Sequence, residues 1–499
     1  MKKIALIFVL IIFCLVFRNK VNAQVWYFND SCGIDFNQAV PLFITSNVVG
    51  TDECYAQVCD STGQILFYLN GSLTEPYPCN AAYLLLNNKY GIKIKNSDSL
   101  FTDQTQTQGA IAVNNPGSDK NLFYIFYLQY QAATLFSFPY GLHFSVVDMS
   151  LNNDSGAVTQ KNIPLMPHYR FTEKLNAVRH GNGRDWWLLA HAQQGNSFIE
   201  FLLDPYGVQG PYIQNIGNSS DTTFYAFTNG QMKFSPNGSK LAYVCGHGYA
   251  DLFDFDRCSG YISHWIKLDS IVNDSINYNP PIDKRYYGCE FSPNGNVLYI
   301  GSSDLIQYDL SSGSIPDTRT TIYHDSNSNC SPGGFEIGPD GKIYMTVFGP
   351  FNDTCNNYVG IINNPDSLGI SCNFDISGLY LGGRKGYYGL PNIANTSLSA
   401  LTGSLCDTLT GIKELPQENF VMQIYPNPAS EEINILLSKF ISSGEVKIMD
   451  ITGREMRSKN INHQNEIDFS MADLPAGIYF VQLKTQDGNA VKIFVRSAN

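Results

Sequence analysis

Three segments of the chain repeat one order of apolar and turn residues. In each, a short apolar stretch runs into Pro, then Asn-Gly or Asp-Gly, then a stretch that begins with β-branched or aromatic residues; the segments are Met232–Val244, Phe291–Ile300 and Phe335–Met345. Proline fixes φ at the first turn position, and the glycine that follows tolerates a positive φ. The pattern therefore predicts a β-hairpin in each segment.

Three earlier segments carry the same signal in weaker form: Tyr55–Tyr68, Ala110–Phe126 and Leu175–Leu189. The turn glycines of all six predicted hairpins are Gly63, Gly117, Gly183, Gly238, Gly295 and Gly341. They are separated by 54, 66, 55, 57 and 46 residues. This spacing leaves room for two more strands after each hairpin, which is the period of a four-stranded propeller blade.

The two ends of this array complement each other. Trp26–Phe36 reads as outer strands with no inner strand before them, and Gly389–Ala394 reads as an inner strand with no outer strands after it. Joining the two would close the ring as a seventh blade and remove open sheet edges. Six blades is the alternative, with the N-terminal strands only capping the array.

The chain changes character after residue 395. Residues 396–418 are mostly small or polar and are predicted to be a linker, and residues 419–499 contain short alternating strands separated by Gly and Pro turns. About 80 residues of this kind predict a small β-sandwich. The predicted fold is thus all-β: a seven-bladed, alternatively six-bladed, β-propeller over 24–395 followed by a C-terminal β-sandwich.

Four motifs follow one another in the C-terminal segment: Tyr425-Pro426-Asn427-Pro428-Ala429, Asp450-Ile451-Thr452-Gly453-Arg454, Leu474-Pro475-Ala476-Gly477-Ile478-Tyr479-Phe480-Val481 and Lys492-Ile493-Phe494-Val495. Their order resembles the type A C-terminal sorting domain of proteins exported by the type IX secretion system of Bacteroidetes. The resemblance implies folding in the periplasm and export across the outer membrane, with the secretion machinery as partner. It also implies that the domain is commonly removed and the cargo released or attached to surface polysaccharide.

The preceding segment is similar to the WD-like propeller proteins of the same secretome. The similarity is carried by Trp26–Phe36, Asp60–Tyr68, Leu381-Gly382-Gly383-Arg384 and Gly389-Leu390-Pro391-Asn392. That group has no settled biochemical activity, so the resemblance supports the fold and leaves the ligand open.

The N-terminus has the pattern of a secretory signal peptide. Lys2 and Lys3 precede the apolar run Ile4–Phe17, and small residues end at Ala23, before Gln24. Residues 1–23 are therefore predicted to be removed by cleavage between Ala23 and Gln24. The run is too short for a comfortable membrane span, and no later stretch is longer, so no transmembrane segment is predicted in the mature chain. We expect a secreted or outer-membrane surface protein that passes through the periplasm.

Composition narrows the function classes. The chain has 31 Phe, 30 Tyr and 42 Gly but only 15% charged residues, which favours sheets with many turns. Its net charge of -12 and the lack of basic runs argue against a nucleic-acid surface. Twelve cysteines, eleven of them after the signal, leave at least one without a partner in the chain and show no zinc-site spacing.

Catalytic signatures are missing from the sequence, so no catalytic residue, cofactor or metal is predicted. His180 and His191 flank a Trp-Trp strand with Asp185 between them, and we favour a structural role for all three.

Aromatic residues in loops are the stronger candidates for binding. Tyr286 and Tyr287 precede one predicted inner strand, and Tyr387 and Tyr388, with Arg384 nearby, precede another. If both pairs lie on one face of the ring, they form a rim suited to sugars or to the loops of a protein partner. The alternative is that they wedge between blades.

These features predict an exported propeller that acts as a binding or adhesion module for a glycan or protein ligand. The alternative is a glycan-active hydrolase or lyase whose site lies in the central channel. Two carboxylates converging in a central pocket would favour this alternative.

Overall fold

The computed structural model describes residues 25–497 except positions 30, 49–52, 54, 61, 72–83, 101, 103–105, 130–139, 221–227, 271–284, 327–329, 350–353, 405, 408–421, 451–452 and 486–487. The predicted signal peptide, with Ala23 and Gln24, lies outside the described residues. Two compact units are present: one takes the described residues up to Phe201 and from Pro211 to Asp407, the other Leu202–Gly210 and the described residues after Thr408.

The repeated segments are hairpins, as predicted. Antiparallel pairing joins residues 232–234 to 241–243, 289–291 to 298–300 and 335–337 to 343–345. The turn is the same each time: Gly238 N donates to Ser235 O at 2.7 Å, and Gly295 N donates to Ser292 O at 2.8 Å. Both glycines have φ near +74°, at 73° and 74°. A side chain would strain this conformation, which explains the glycine at each turn.

The described residues before 381 form seven antiparallel sheets, named here sheets 1 to 7 in chain order. Sheets 1 and 2 have three strands each: β1 (Val25–Phe28), β2 (Cys32–Asp35), β3 (Leu42–Thr45), then β4 (Gln57–Cys59), β5 (Ile65–Gly71), β6 (Leu84–Asn88). Sheets 3 and 4 have four each: β7 (Ala110–Asn114), β8 (Leu122–Gln129), β9 (Gly141–Asp148), β10 (Ala157–Pro167), then β11 (Phe171–Arg179), β12 (Trp186–Ala192), β13 (Gly195–Asp204), β14 (Gly207–Ser220).

The remaining three sheets also have four strands each. Sheets 5 and 6 are β15 (Met232–Phe234), β16 (Lys240–Cys245), β17 (Tyr249–Phe255), β18 (Ile262–Ser270), then β19 (Cys289–Phe291), β20 (Val297–Gly301), β21 (Asp304–Asp309), β22 (Thr320–His324). Sheet 7 is β23 (Ser331–Ile337), β24 (Ile343–Phe348), β25 (Tyr358–Ile362), β26 (Phe374–Tyr380). Among the described residues, helical structure is limited to α1 (Leu151–Asp154) and short 3-10 turns at Pro316–Thr318, Cys355–Asn357 and Gly369–Cys372.

The sheets follow one another around a ring. The first strands of neighbouring sheets lie side by side from β1 and β4 through to β19 and β23. Sheet 7 packs back on sheet 1, where Trp26 meets the ring of Tyr344 edge-on with centroids 5.7 Å apart. Apolar residues buried between adjacent sheets form the core, because each sheet alone would expose an apolar face. The predicted β-propeller is confirmed.

One predicted strand is wrong. Residues 389–394 do not pair as an inner strand of the first sheet, because they form no strand and β1 itself stands beside β4. The choice between seven and six blades therefore stays a prediction.

The C-terminal domain is a small all-β domain, as predicted. Its strands β27 (Met422–Tyr425), β28 (Glu432–Asp450), β29 (Glu455–Ser470), β30 (Gly477–Thr485) and β31 (Gly488–Arg496) form one antiparallel sheet. The register of β28 on β29 shifts between Leu436 and Ile441. Residues on both sides of this shift, such as Ile433 and Ile448, pack into one core. The two halves of the sheet thus enclose a core as a sandwich does.

Two disulfides are present among the described cysteines, Cys258–Cys406 and Cys330–Cys355. Cys59, Cys289 and Cys372 form no disulfide. In the predicted linker, Ser399 O accepts from Arg257 Nη2 at 2.8 Å. Because this contact and Cys406 hold residues 396–407 to the propeller unit, we propose that the linker begins after Asp407.

Candidate functional site

The chain's own segment 388–395 runs through the middle of the ring. Tyr388 O accepts from Gly334 N at 2.8 Å, beside β23. Further along, Asn395 Nδ2 donates to Pro236 O at 3.0 Å, in the hairpin turn after β15. The segment therefore runs from the end of the channel around Gly334, named the start mouth, to the end that carries the hairpin turns, named the turn mouth.

Asn392 fastens this segment to the ring. Its Nδ2 donates to Ala110 O at 2.9 Å and to Leu175 O at 2.8 Å, and its backbone N donates to Tyr55 O at 2.9 Å. Its Oδ1 accepts from Gln108 Nε2 at 3.2 Å. The buried side chain thus joins sheets 3 and 4, and the backbone of the same residue bonds the segment just before sheet 2. The channel is filled at this level, so a ligand reaches only its mouths.

A buried ion triad lies deeper in the channel. Lys233, Glu290 and Glu336 occupy the same position in the three repeated hairpins, three residues before the proline. Lys233 Nζ is 3.1 Å from Glu290 Oε2 and also contacts Glu336 directly. Burial, together with the Glu290 carboxylate, raises the pKa of Glu336 to about 8 despite the Lys233 ammonium. One cation faces two carboxyls, so one of them keeps a proton at neutral pH.

The triad predicts a pH-dependent stability. Folded Glu336 holds its proton up to about pH 8 while unfolded Glu titrates near 4.5, so stability is full below pH 4.5 and falls as pH rises through 8. Glu336→Gln should therefore match the wild type near pH 5 and exceed it at pH 9 by on the order of 1 to 3 kcal/mol. Denaturant unfolding followed by tryptophan fluorescence measures this difference in stability. The signal reports on the propeller, because all four Trp lie before residue 266.

The control for this experiment is Asp375→Asn, which changes an exposed acid of the propeller. This acid lies outside the triad, so the variant should keep the loss of stability that Glu336 causes between pH 5 and pH 9. A Glu336→Gln variant that is less stable than the wild type at pH 9 would contradict the conclusion that one of the two carboxyls keeps a proton at neutral pH.

Aromatic rings gather at the start mouth. The ring centroids of Tyr287 and Tyr388 are 5.5 Å apart, and Tyr388 stacks on Phe348 at 4.0 Å. Tyr287 is buried, whereas Tyr388 and Phe348 are half-buried. One residue from each predicted pair therefore comes to one mouth, beside the chain segment that fills the channel.

The other residues of the predicted rim are placed differently. Tyr286 is buried and donates through its hydroxyl to Asp269 at 2.6 Å, so it wedges within the propeller. Tyr387 is half-buried and Arg384 is exposed. Consecutive tyrosines in an extended segment point to opposite sides, which separates Tyr286 from Tyr287.

Two carboxylates at the start mouth were not predicted from the sequence. Thr107 donates through Oγ1 to Glu173 Oε2 at 3.0 Å. Glu53 Oε2 lies 3.5 Å from Thr107 Oγ1. The hydroxyl of Tyr287 faces both acids; burial first, and then these charges, raise its pKa well above the ordinary value. Glu53 precedes sheet 2, Glu173 lies in β11 of sheet 4, and the two belong to no linear motif, so no sequence signal could have joined them.

A narrow cleft opens beside this acid pair, between the ends of sheets 3 and 4. Glu173 and Gln106 line it together with Tyr169 and Phe171, whose ring centroids are 5.0 Å apart. No sequence signal marks this cleft, because its walls come from strand ends and loops with no shared pattern.

The histidines near the Trp-Trp strand do not meet. His180 Nε2 lies 2.8 Å from Cys258 O, and His191 Nδ1 lies 2.7 Å from Ala192 O. Burial lowers the pKa of His191 to about 3, so its ring stays neutral. Across the described residues, no three His, Cys, Asp or Glu side chains gather where they could hold a metal ion.

The sorting-domain motif Tyr425-Pro426-Asn427-Pro428 binds the edge of the last strand. Asn427 Oδ1 accepts from Val495 N at 2.8 Å, and Ala429 N donates to Val495 O at 2.8 Å. Tyr425 itself is exposed, and its hydroxyl donates to Glu466 at 2.9 Å. The motif therefore joins the beginning of the domain to its end.

The other motif residues shape turns of the same domain. Gly453 has φ of 81° and donates from its N to Asp450 O at 2.9 Å. Leu474 is buried in the core, and Tyr479 donates to Pro475 O at 2.8 Å, just around the start of β30 at Gly477. These motif positions thus have structural roles.

The family model described as a secretion system C-terminal sorting domain matches residues 423–496. The predicted sorting domain is confirmed, and this protein is exported by type IX secretion to the cell surface or beyond. No curated protein matches the chain. In the part of the chain that the structure describes, no helix has the length and apolarity to cross a membrane.

Several solved propellers are similar to the chain at low identity. The Cps50 (Swd1) propeller domain of Myceliophteria thermophila is 10% identical, with TM-score 0.36, over 66% of this chain and 94% of that one. A putative 6-phosphogluconolactonase of Bacteroides fragilis is 12% identical, with TM-score 0.40, over 68% and 88%. The Dos1 propeller is 10% identical, with TM-score 0.34, over 63% and 70%. Likenesses this distant carry no argument about function.

Proposed function

We propose that this exported propeller is a binding or adhesion module that takes a glycan or protein ligand at its start mouth. The observation that carries the proposal is the gathering of Tyr287, Tyr388 and Phe348 beside Glu53 and Glu173. Because segment 388–395 fills the channel, the start mouth is a floor with aromatic and acidic groups rather than a through-passage.

The chemistry of this floor suits a ligand that is apolar on one face and rich in donors at its edge. The half-buried rings of Tyr388 and Phe348 offer apolar surface at low entropic cost. The carboxylates of Glu53 and Glu173 accept hydrogen bonds strongly from hydroxyl or amide donors. Sugars and protein loops both fit this description.

A second candidate is favoured by the same acid pair. Two carboxylates that reach one hydroxyl could act as acid and nucleophile in glycoside hydrolysis, with the substrate lying across the start mouth. Thr107 holds Glu173 through both its amide and its hydroxyl, which favours a fixed binding role for this acid.

The binding proposal predicts that Tyr388→Ala weakens retention of cell-surface material by about tenfold, because the variant removes the half-buried ring of the mouth. Glycan arrays and pull-downs with cell-surface extracts measure the loss. The matched control is Tyr261→Ala, which removes an exposed tyrosine from the turn before β18. Tryptophan fluorescence verifies that both variants fold.

Clean negatives for the wild type in both assays would overturn the proposal, as would equal binding by Tyr388→Ala. Release of new reducing ends from a bound glycan, lost in Glu173→Gln, would instead identify the acid pair as catalytic.

A further inference from the structure

The cleft beside the start mouth carries an unusual set of amides. Its polar lining includes Gln106, Gln129 and Gln193, and its apolar lining includes Tyr140, Tyr169 and Phe171. Burial raises the pKa of Tyr169, so its hydroxyl remains a donor. A side-chain amide both donates and accepts, which is the pairing that neighbouring hydroxyl groups of a sugar require.

Gln129 supplies the observation that points to a ligand. Its Oε1 is buried, and no donor among the described residues reaches it. A buried acceptor without a partner is costly and rare in folded proteins. Gln129 stands at the end of β8, where it lines the cleft. A donor brought by a ligand would complete it.

Charge decides the kind of donor. Arg170 and Glu173 are the two charged residues of the lining, and their charges cancel. The Glu173 carboxylate would repel a phosphate or carboxylate, and the Arg170 guanidinium would repel an ammonium group. Neither residue repels an uncharged hydroxyl group.

The width of the cleft decides how much of the ligand enters. The space is narrow, and its aromatic wall is built by Tyr169 and Phe171. That space takes about one hydroxyl-sized group, so only a hydroxymethyl arm would enter between the amides, while the sugar ring would lie outside on the aromatic wall.

We infer that the cleft is a subsite for one residue of an uncharged glycan, with Gln129 Oε1 accepting from a sugar hydroxyl. The inference rests on the proposed binding function and deepens it, because Glu173 belongs to both the cleft and the start mouth. The ligand class is a neutral oligosaccharide.

Gln129→Leu tests the inference in the full-length protein. The probes are neutral oligosaccharides, namely glucan, mannan and galactan tetrasaccharides, with sulfated and uronic-acid chains of equal length beside them. Binding of the preferred neutral probe should fall about tenfold in Gln129→Leu and in Tyr169→Ala, and remain unchanged in Tyr261→Ala.

A stability measurement separates a binding role from a structural one. Because Leu removes an unpaired buried acceptor, Gln129→Leu should unfold at an equal or higher denaturant concentration than the wild type without sugar. Added neutral probe should stabilise the wild type and leave Gln129→Leu unchanged. Loss of probe binding with lowered stability of the free protein would overturn the inference, since it would show a structural glutamine.

The outcomes also separate the two proposals. Retention of cell-surface material that depends on Tyr388 but not on Gln129, with no neutral probe bound, overturns the subsite and leaves the binding module standing. Preference for the sulfated or uronic-acid chains likewise overturns the neutral-sugar assignment. No retention of any material overturns both.

Discussion

Deleting residues 421–499 is expected to leave a folded propeller in the periplasm and to abolish its appearance at the cell surface or in the medium. The sorting domain occupies 423–496 and builds its core from its own strands, so its removal takes nothing from the apolar core between the propeller sheets. The Cys258–Cys406 disulfide lies entirely on the propeller side of the deletion. Cell fractionation with immunoblotting, and tryptophan fluorescence of the retained chain, measure both parts.

The matched control keeps the domain and changes only its exposed face. A chain with Glu432→Gln should be exported normally, because Glu432 is exposed and outside the core. Normal surface display of the truncated chain would contradict the role of the sorting domain. An unfolded retained chain would contradict the independence of the propeller.

Replacing Asn392 by Leu is expected to lower the free energy of unfolding of the propeller by about 3 to 5 kcal/mol. Leu has a similar volume but donates nothing, so Ala110 O and Leu175 O lose their side-chain donor in a buried place. Gln108 also loses the acceptor for one of its hydrogen bonds. Denaturant unfolding followed by tryptophan fluorescence gives the difference.

Asn395→Ala is the control, since Asn395 lies on the same segment and bonds a single propeller carbonyl from a less buried position. Its cost should be about 1 kcal/mol. Equal effects of the two variants would show that Asn392 has no special role in fastening segment 388–395.

The hairpins could be predicted because their information is local. A turn with proline followed by Asn-Gly or Asp-Gly has few conformations open to it, and the strands beside it need only alternate. The pairing of 232–234 with 241–243 follows from these constraints alone. The four sorting motifs could be recognised for the same reason, since each is a turn or strand end such as that around Gly453.

Residues 389–394 show where this reasoning fails. The sequence around Leu390 and Ile393 has the apolar character of an inner strand, and the prediction placed it in the first sheet. Strand pairing depends on a free edge, and β1 stands beside β4 in the ring. The segment instead satisfies its polar groups through Asn392 in the channel.

The candidate site could be predicted only in part from the sequence. Aromatic residues before the inner strands predicted a rim, and the meeting of Tyr287 with Tyr388 is what such a rim requires. Tyr286 did not join it, because alternation turns it toward Asp269. Glu53 and Glu173 gave no signal, since an acid before sheet 2 and an acid in β11 become a pair only when the ring closes.

The sequence by itself determined the repeated hairpins and the destination of the chain, because turns, alternation and motifs are properties of neighbouring residues. Only the tertiary structure decided that segment 388–395 fills the channel, that Lys233 meets Glu290 and Glu336, and that no donor among the described residues reaches Gln129 Oε1. These features depend on residues from several sheets meeting within hydrogen-bond distance. No local pattern encodes that meeting, and the binding function proposed for this protein depends on it.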